Sequence, residues 1–173
     1  GLLTGVYRGF KEYYELGWID KMPKIVVVQS TGCAPLVRAW QRGESFPNIT
    51  PWEKVDTVAE GLEDPFPWDA DVGLESIKKT NGTALTVTNE EILDSQRLLA
   101  KYEGLFGEPS GTTGLAAVVK LLNEGTIDKS DSVVHVLSGA GLKDPEVVIR
   151  QFPQPPVIRP DLTEFTKVFK IKN

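Results

Sequence analysis

The order of apolar and polar positions divides the chain into alternating helical and strand-like stretches. Residues 3–17, LTGVYRGFKEYYELG, place Val6, Phe10, Tyr13 and Tyr14 at near three- to four-residue spacing, which predicts an amphipathic helix stopped by Gly17. Gly5 and Gly9 inside it each cost about 1 kcal/mol relative to Ala, so a close approach to the backbone is expected there. KIVVVQS, 24–30, is an unbroken apolar run and predicts a buried strand, and APLVRAWQRG, 34–43, a second helix ending at Gly43. ADVGLESIKKTNG, 70–82, reads as a short helix ending near Asn81-Gly82, and TALTVT, 83–88, as a strand. Residues 88–104 form a helix pattern capped by Thr88 or Asn89, with Glu90 and Glu91 in its first turn. GTTGLAAVVKLLNEG, 111–125, is another helix pattern, and SVVHVLS, 132–138, a last strand.

Between 44 and 70 the periodicity fails, in a stretch with four prolines and the tryptophans Trp52 and Trp68. A loop of that length inside a compact domain is a functional or wrap-around segment. From Gln151 the tail is proline-rich, with one helix from Asp161. Strands alternating with amphipathic helices imply an α/β fold: a mostly parallel sheet in three α/β/α layers. The expected division is an α/β domain over 1–150 and a tail over 151–173.

Composition narrows the function classes. The 173 residues are 40% hydrophobic and 25% charged, with a net charge of −5, an acidic balance that argues against nucleic acid or an anionic membrane as partner. No apolar stretch approaches the roughly 20 residues that span a bilayer. Cys33 is the single cysteine, so no internal disulfide can form and a reducing, cytoplasmic setting fits. The chain opens without Met and is already helical by residue 4, which reads as a piece of something longer.

Candidate chemistry follows from the fold class, because ligands of open α/β sheets bind at the carboxyl ends of the strands. Three segments converge there: the helix start at Gly1–Gly5, the helix opening GEPSGTTG at 107–114, and Ser138-Gly139-Ala140-Gly141 after the last strand. The first two offer unpaired backbone N–H groups suited to an anion such as phosphate. Ser138 offers a neutral hydroxyl suited to an uncharged ring nitrogen, although a serine also simply ends strands. His135, the one histidine, reads as a core residue, and Cys33 as a small packing residue although a helix start could stabilise its thiolate. Glu60 and Asp64 read as solvated, and Lys143 as a surface or helix-start residue. One His and one Cys cannot make a zinc site, so no metal is expected. GAGL lacks the third glycine and distant acid of a dinucleotide fingerprint.

The stretches GLLTGVYRGFKEYYELGWID, VVVQSTGCAPLVRAW, TVAEGL, EEILDSQRLLAKYEGLFGEPSGTTGLAAVVKL and VVHVLSGAGLKDP together resemble the C-terminal half of the fold-type II pyridoxal-phosphate enzymes, the threonine synthase family above all. The resemblance covers about residues 1 to 150, with Gly-Leu-Lys-Asp-Pro its most specific element. It implies the tryptophan synthase beta-like fold, pyridoxal 5'-phosphate as cofactor, and conversion of O-phosphohomoserine and water to threonine and phosphate by γ-elimination and water addition at Cβ. It implies that Gly1 ends a phosphate-holding loop, and that Glu108, Ser138 and Gly139 lie at the cofactor ring. Thr57, Ala59 and Glu60 would line the substrate mouth. Threonine synthases more often carry Thr where Ser138 stands; serine is commoner in dehydratases and cysteine synthases, so a serine/threonine dehydratase or cysteate-synthase-like relative is an alternative, as is a non-catalytic ligand-binding module. The Schiff-base lysine of the family belongs to the N-terminal half and matches no lysine here, so the chain is expected to be inactive without that half. A homodimer is implied by the same resemblance.

Overall fold

A computed structural model of the protein describes residues 1–170. The chain divides into two compact units, one ending at Lys143 and the other beginning at Asp144. The first unit runs α1 (Leu2–Glu15), β1 (Val26–Ser30), α2 (Pro35–Arg42), α3 (Ala70–Lys79), β2 (Thr83–Val87), α4 (Asn89–Glu103) and α5 (Pro109–Asn123), with 3-10 turns at Glu60–Leu62 and Gly141–Lys143. The second unit holds α6 (Pro145–Ile149) and α7 (Leu162–Val168), the latter capped where Asp161 accepts the Glu164 N–H at 2.8 Å.

β1 and β2 pair in parallel, in register from Val26↔Thr83 to Ser30↔Val87. Alternation along the strands sends their side chains to two separate cores. Val27 and Ala84 pack with Val37 and Ala39 of α2 and Ile77 of α3. Val28, Leu85 and Val87 face the other way, with Ile92 of α4 and Ala116 and Ala117 of α5. The sheet is therefore the middle of three layers, as the alternating pattern predicts. The irregular 44–69 stretch wraps around the first core: Ile49 is 3% exposed, and Arg38 Nη2 donates to the Pro51 carbonyl at 2.9 Å while its guanidinium lies 4.6 Å from the Trp52 ring centre.

Helix ends follow local chemistry. α4 begins with a reciprocal capping box between Thr88 and Glu91, and α2 and α4 end on Gly43 and Gly104 in the left-handed region. α5 starts two residues earlier than its apolar period, because Pro109 is preset for the first helical position, where it has no N–H to lose.

Two expectations are corrected. Gly5 and Gly9 admit no close neighbour: a Cβ on either would meet nothing within 4 Å. Residues 132–138 form no ladder with β1 or β2. They are extended along α5 instead, with His135 and Leu137 half-buried and Val134, Val136 and Ser138 exposed. The two-residue alternation of a strand is present, but strand formation needs a hydrogen-bonding neighbour, and none lies beside this segment among the described residues.

Candidate functional site

The first turn of α5 is where two of the three predicted segments meet. Gly107 and Ala140 form an antiparallel bridge, in which Glu108 N–H donates to the Gly139 carbonyl at 3.0 Å and Gly141 N–H to that of Phe106 at 2.9 Å. Contact is so close that a Cβ on Gly139 would stand 1.9 Å from Glu108 Oε1, and one on Gly111 would stand 3.1 Å from both the Gly139 nitrogen and oxygen. The crowding on both sides of this seam is one of space and not of backbone conformation: a Cβ on Gly139 would displace the Glu108 side chain, and one on Gly111 would push the Gly139 backbone by a few tenths of an ångström. α4 braces it from behind: Gln96 Nε2 donates to the Gly107 carbonyl at 2.7 Å, and Ser95 Oγ to that of Thr112 at 3.0 Å.

Three of the ring-site residues are thereby brought together. Glu108 is the N-cap residue of α5 and is 9% exposed, with its carboxylate lying on the Gly139 backbone. Ser138, the residue before Gly139, is exposed, and among the described residues its hydroxyl has no partner. Lys143 lies at the surface, as expected, and also reaches over the seam: its Nζ lies 2.9 Å from Glu108 Oε2 and 3.2 Å from Oε1.

The mouth segment is strapped to the same end of the sheet. Asp56 N–H donates to Gly32 O at 3.1 Å just past β1, Val58 N–H to Asn89 Oδ1 at 3.1 Å at the start of α4, and Gly61 N–H to Ser110 Oγ at 2.9 Å in the first turn of α5. Within it, Thr57 is half-buried and its hydroxyl accepts the Ala59 N–H at 3.1 Å, while Glu60 is exposed. Ala59 is fully buried in the second core, so its side chain anchors the mouth and does not line it.

Gly1 is placed elsewhere. It caps α1, and in the first turn Thr4 Oγ1 donates to Asp69 Oδ2. Nothing lies within 4 Å of a Cβ built on Gly1, and α1 packs on α3. A hollow of about 490 Å³ between α2 and α3, lined by Trp40, Glu44, Leu74, Glu75 and Lys78, is also away from the Glu108 cluster.

The remaining candidates behave as packing groups. Burial pushes the Cys33 thiol up, against a thiolate. Burial also holds the His135 imidazole below its ordinary range, opposed by the Gly111 backbone; its Nδ1 lies against Gly114 and its buried Nε2 has no partner. Among the described residues no group of His, Cys, Asp or Glu could hold a metal ion, and no helix is long and apolar enough to cross a membrane.

Sequence reasoning missed three residues: Lys143, Asn89 as the anchor of the mouth, and Ser110. Asn89 gave a local signal as a candidate cap, and Ser110 and Lys143 lie within the GEPSGTTG and Gly-Leu-Lys-Asp-Pro motifs, which did not tell what those side chains contact.

A planar ring with one neutral nitrogen fits the Ser138 end. There, a solvent-facing hydroxyl with donor and acceptor capacity free stands next to a backbone stripped of Cβ atoms and beside a carboxylate. At the Gly1 end the first turn of α1 has no side-chain cap, so its backbone N–H groups suit a phosphate.

A three-layer α/β unit with such a cradle at one end of a parallel sheet belongs to the class of α/β enzymes that hold a small cofactor at the strand termini. The family described as pyridoxal-phosphate dependent enzyme matches residues 1–139, and the chain belongs to it. It is 39% identical over 158 residues to a threonine synthase of Methanosarcina acetivorans, covering 91% of this chain and 38% of that protein. With a threonine synthase of Methanocaldococcus jannaschii it shares 35% identity over 170 residues, 98% of this chain and 42% of that protein. The chain thus spans about two-fifths of these relatives. Among solved structures, maize serine racemase superposes with a TM-score of 0.59 at 17% identity, covering 86% of this chain and 51% of that one. A fungal L-serine ammonia-lyase from Rhizomucor miehei gives 0.56 at 20%, covering 74% and 39%. These two share the fold.

Proposed function

We propose that the chain is the ring-binding portion of a threonine synthase, which with an N-terminal half converts O-phosphohomoserine and water to threonine and phosphate. The observation that carries the reading is the unpartnered Ser138 hydroxyl, held at the head of the Gly139 turn by its pairing with Glu108. Pyridoxal phosphate supplies the electron sink for the carbanion chemistry. Ser138 meets the ring nitrogen without bringing charge, which leaves that nitrogen largely unprotonated and favours elimination and replacement over transamination. Glu108 and Gly139 form the wall beside it. Thr57 and Glu60 face the substrate from a strap whose shape Ala59 and Asn89 maintain. In the assembled enzyme the backbone N–H groups of the first turn of α1, which no side chain caps, would hold the cofactor phosphate. The protein works in the cytoplasm, as a homodimer.

The test is made on the full-length polypeptide that carries these residues. It is expected to take up pyridoxal phosphate and to release phosphate from O-phosphohomoserine. Ser138→Ala should weaken cofactor affinity a few-fold to tenfold, the worth of one hydrogen bond. A protein that releases no phosphate but deaminates serine or threonine is a dehydratase, and one that takes up no cofactor is a binding module; either result overturns the proposal.

A further inference from the structure

We propose that Lys143 is a positioning residue of the cofactor site: its ammonium, in contact with both Glu108 carboxylate oxygens, holds that side chain against the Gly139 backbone, one residue from the Ser138 hydroxyl. The cofactor part of this statement rests on the reading above; the ion pair does not.

The argument begins with Glu108. Nine-tenths of the residue is buried, and its carboxylate cannot draw on water as an exposed one would. Among the described residues both of its oxygens accept from one donor, Lys143 Nζ, at 2.9 and 3.2 Å. Among the described residues no other cation is shown in contact with it. Against the first turns of α5, α4 presents the neutral Ser95, Gln96 and Leu99. The extended segment presents His135, a turn further along at Gly114, with burial favouring its neutral form. The mouth segment presents Glu60, exposed and of the wrong sign. Lys120, on the same helix, is committed to Glu91 and the Thr86 carbonyl. α5's own N-terminus adds a modest positive field.

The route of the backbone explains why Lys143 can reach. The 3-10 turn Gly141–Lys143 is closed by Lys143 N–H donating to the Ala140 carbonyl at 3.1 Å, which turns the chain back over the seam. The side chain stays 67% exposed, so its ammonium keeps its hydration while its tip covers the carboxylate. That arrangement avoids the double desolvation of a fully buried pair. The two ring-site groups then divide the work: Ser138 meets the ring without charge, and Glu108, kept in place by Lys143, forms the wall beside it.

The experiment is made on the full-length protein. Without cofactor, urea denaturation of Lys143→Met, Glu108→Gln and the double variant should show two losses that are less than additive. Thermal melting confirms the fold of each variant. Additive losses overturn the ion pair and the proposal with it. With pyridoxal phosphate bound, Lys143→Met and Lys143→Gln, the second keeping a donor without charge, should each shift the cofactor's absorbance maximum, and Lys143→Arg should not. Coupled losses with an unmoved spectrum overturn the role at the cofactor. A wild-type protein that binds no cofactor overturns the functional reading and that role together, while the cycle of variants still decides the ion pair.

Discussion

Gly32 is the position where one methyl group should displace the most. It lies two residues past β1, where Asp56 crosses it and donates its N–H to the Gly32 carbonyl at 3.1 Å. A Cβ on Gly32 would stand 1.7 Å from the Asp56 carbonyl oxygen and 2.4 Å from its carbonyl carbon, where ordinary contact begins at 3.4 Å. The obstacle is main chain, which cannot swing aside as a side-chain end can, so the Asp56 strap must retreat by well over an ångström. Gly32→Ala should therefore cost about 1–3 kcal/mol in crowding and about 1 kcal/mol in the lost hydrogen bond, about 2–4 kcal/mol together. The strap also carries Thr57 and Glu60 and is tied to Asn89 and Ser110, so the mouth should move with it. Urea denaturation followed by tryptophan fluorescence and circular dichroism checks the magnitude. At a slope of about 2 kcal/mol/M, the midpoint should fall by roughly 1–2 M. A midpoint unchanged from wild type would refute the claim that this crossing sets the position of the mouth.

Other substitutions test the remaining links. Gly9→Ala, on an open part of α1, should raise stability by up to about 1 kcal/mol in the same denaturation assay. Thr88→Ala should lower it by about 1 kcal/mol by removing the capping box, while Thr88→Ser retains most of it. Ile77→Ala empties a fully buried site between α3 and the sheet and should cost about 2–5 kcal/mol, read as a lower melting temperature. His135 adds a pH dependence. Burial holds its folded-state pKa below the ordinary 6.5, so on acidification from about pH 7 the unfolded chain takes up a proton that the folded chain resists. Stability should fall with pH across that window, and His135→Gln should flatten the fall.

Much of this protein could be read from local order along the chain. Helices with apolar stripes, the apolar runs of β1 and β2, the Thr88 cap and the Gly43 stop depend on neighbours a few residues apart, and each forms close to where the pattern places it. Alternation of strands with helices sufficed for the three-layer class, because a parallel pair needs a covering crossover. Ser138 and Glu108 were legible as members of motifs. What joins them was not. Strand formation at 132–138 depends on a partner that hydrophobic alternation does not name. Gly5 and Gly9 stand in open space while Gly32 and Gly139 are crowded, a difference set by atoms from Asp56 and Glu108. Ala59 is drawn into the core, and Lys143 is turned onto Glu108 by a backbone path closed at Ala140. Local pattern decides which elements form, since those forces act between near neighbours; only the folded chain decides which distant side chains share a place, and there a charge finds its counterion and a glycine meets its obstacle.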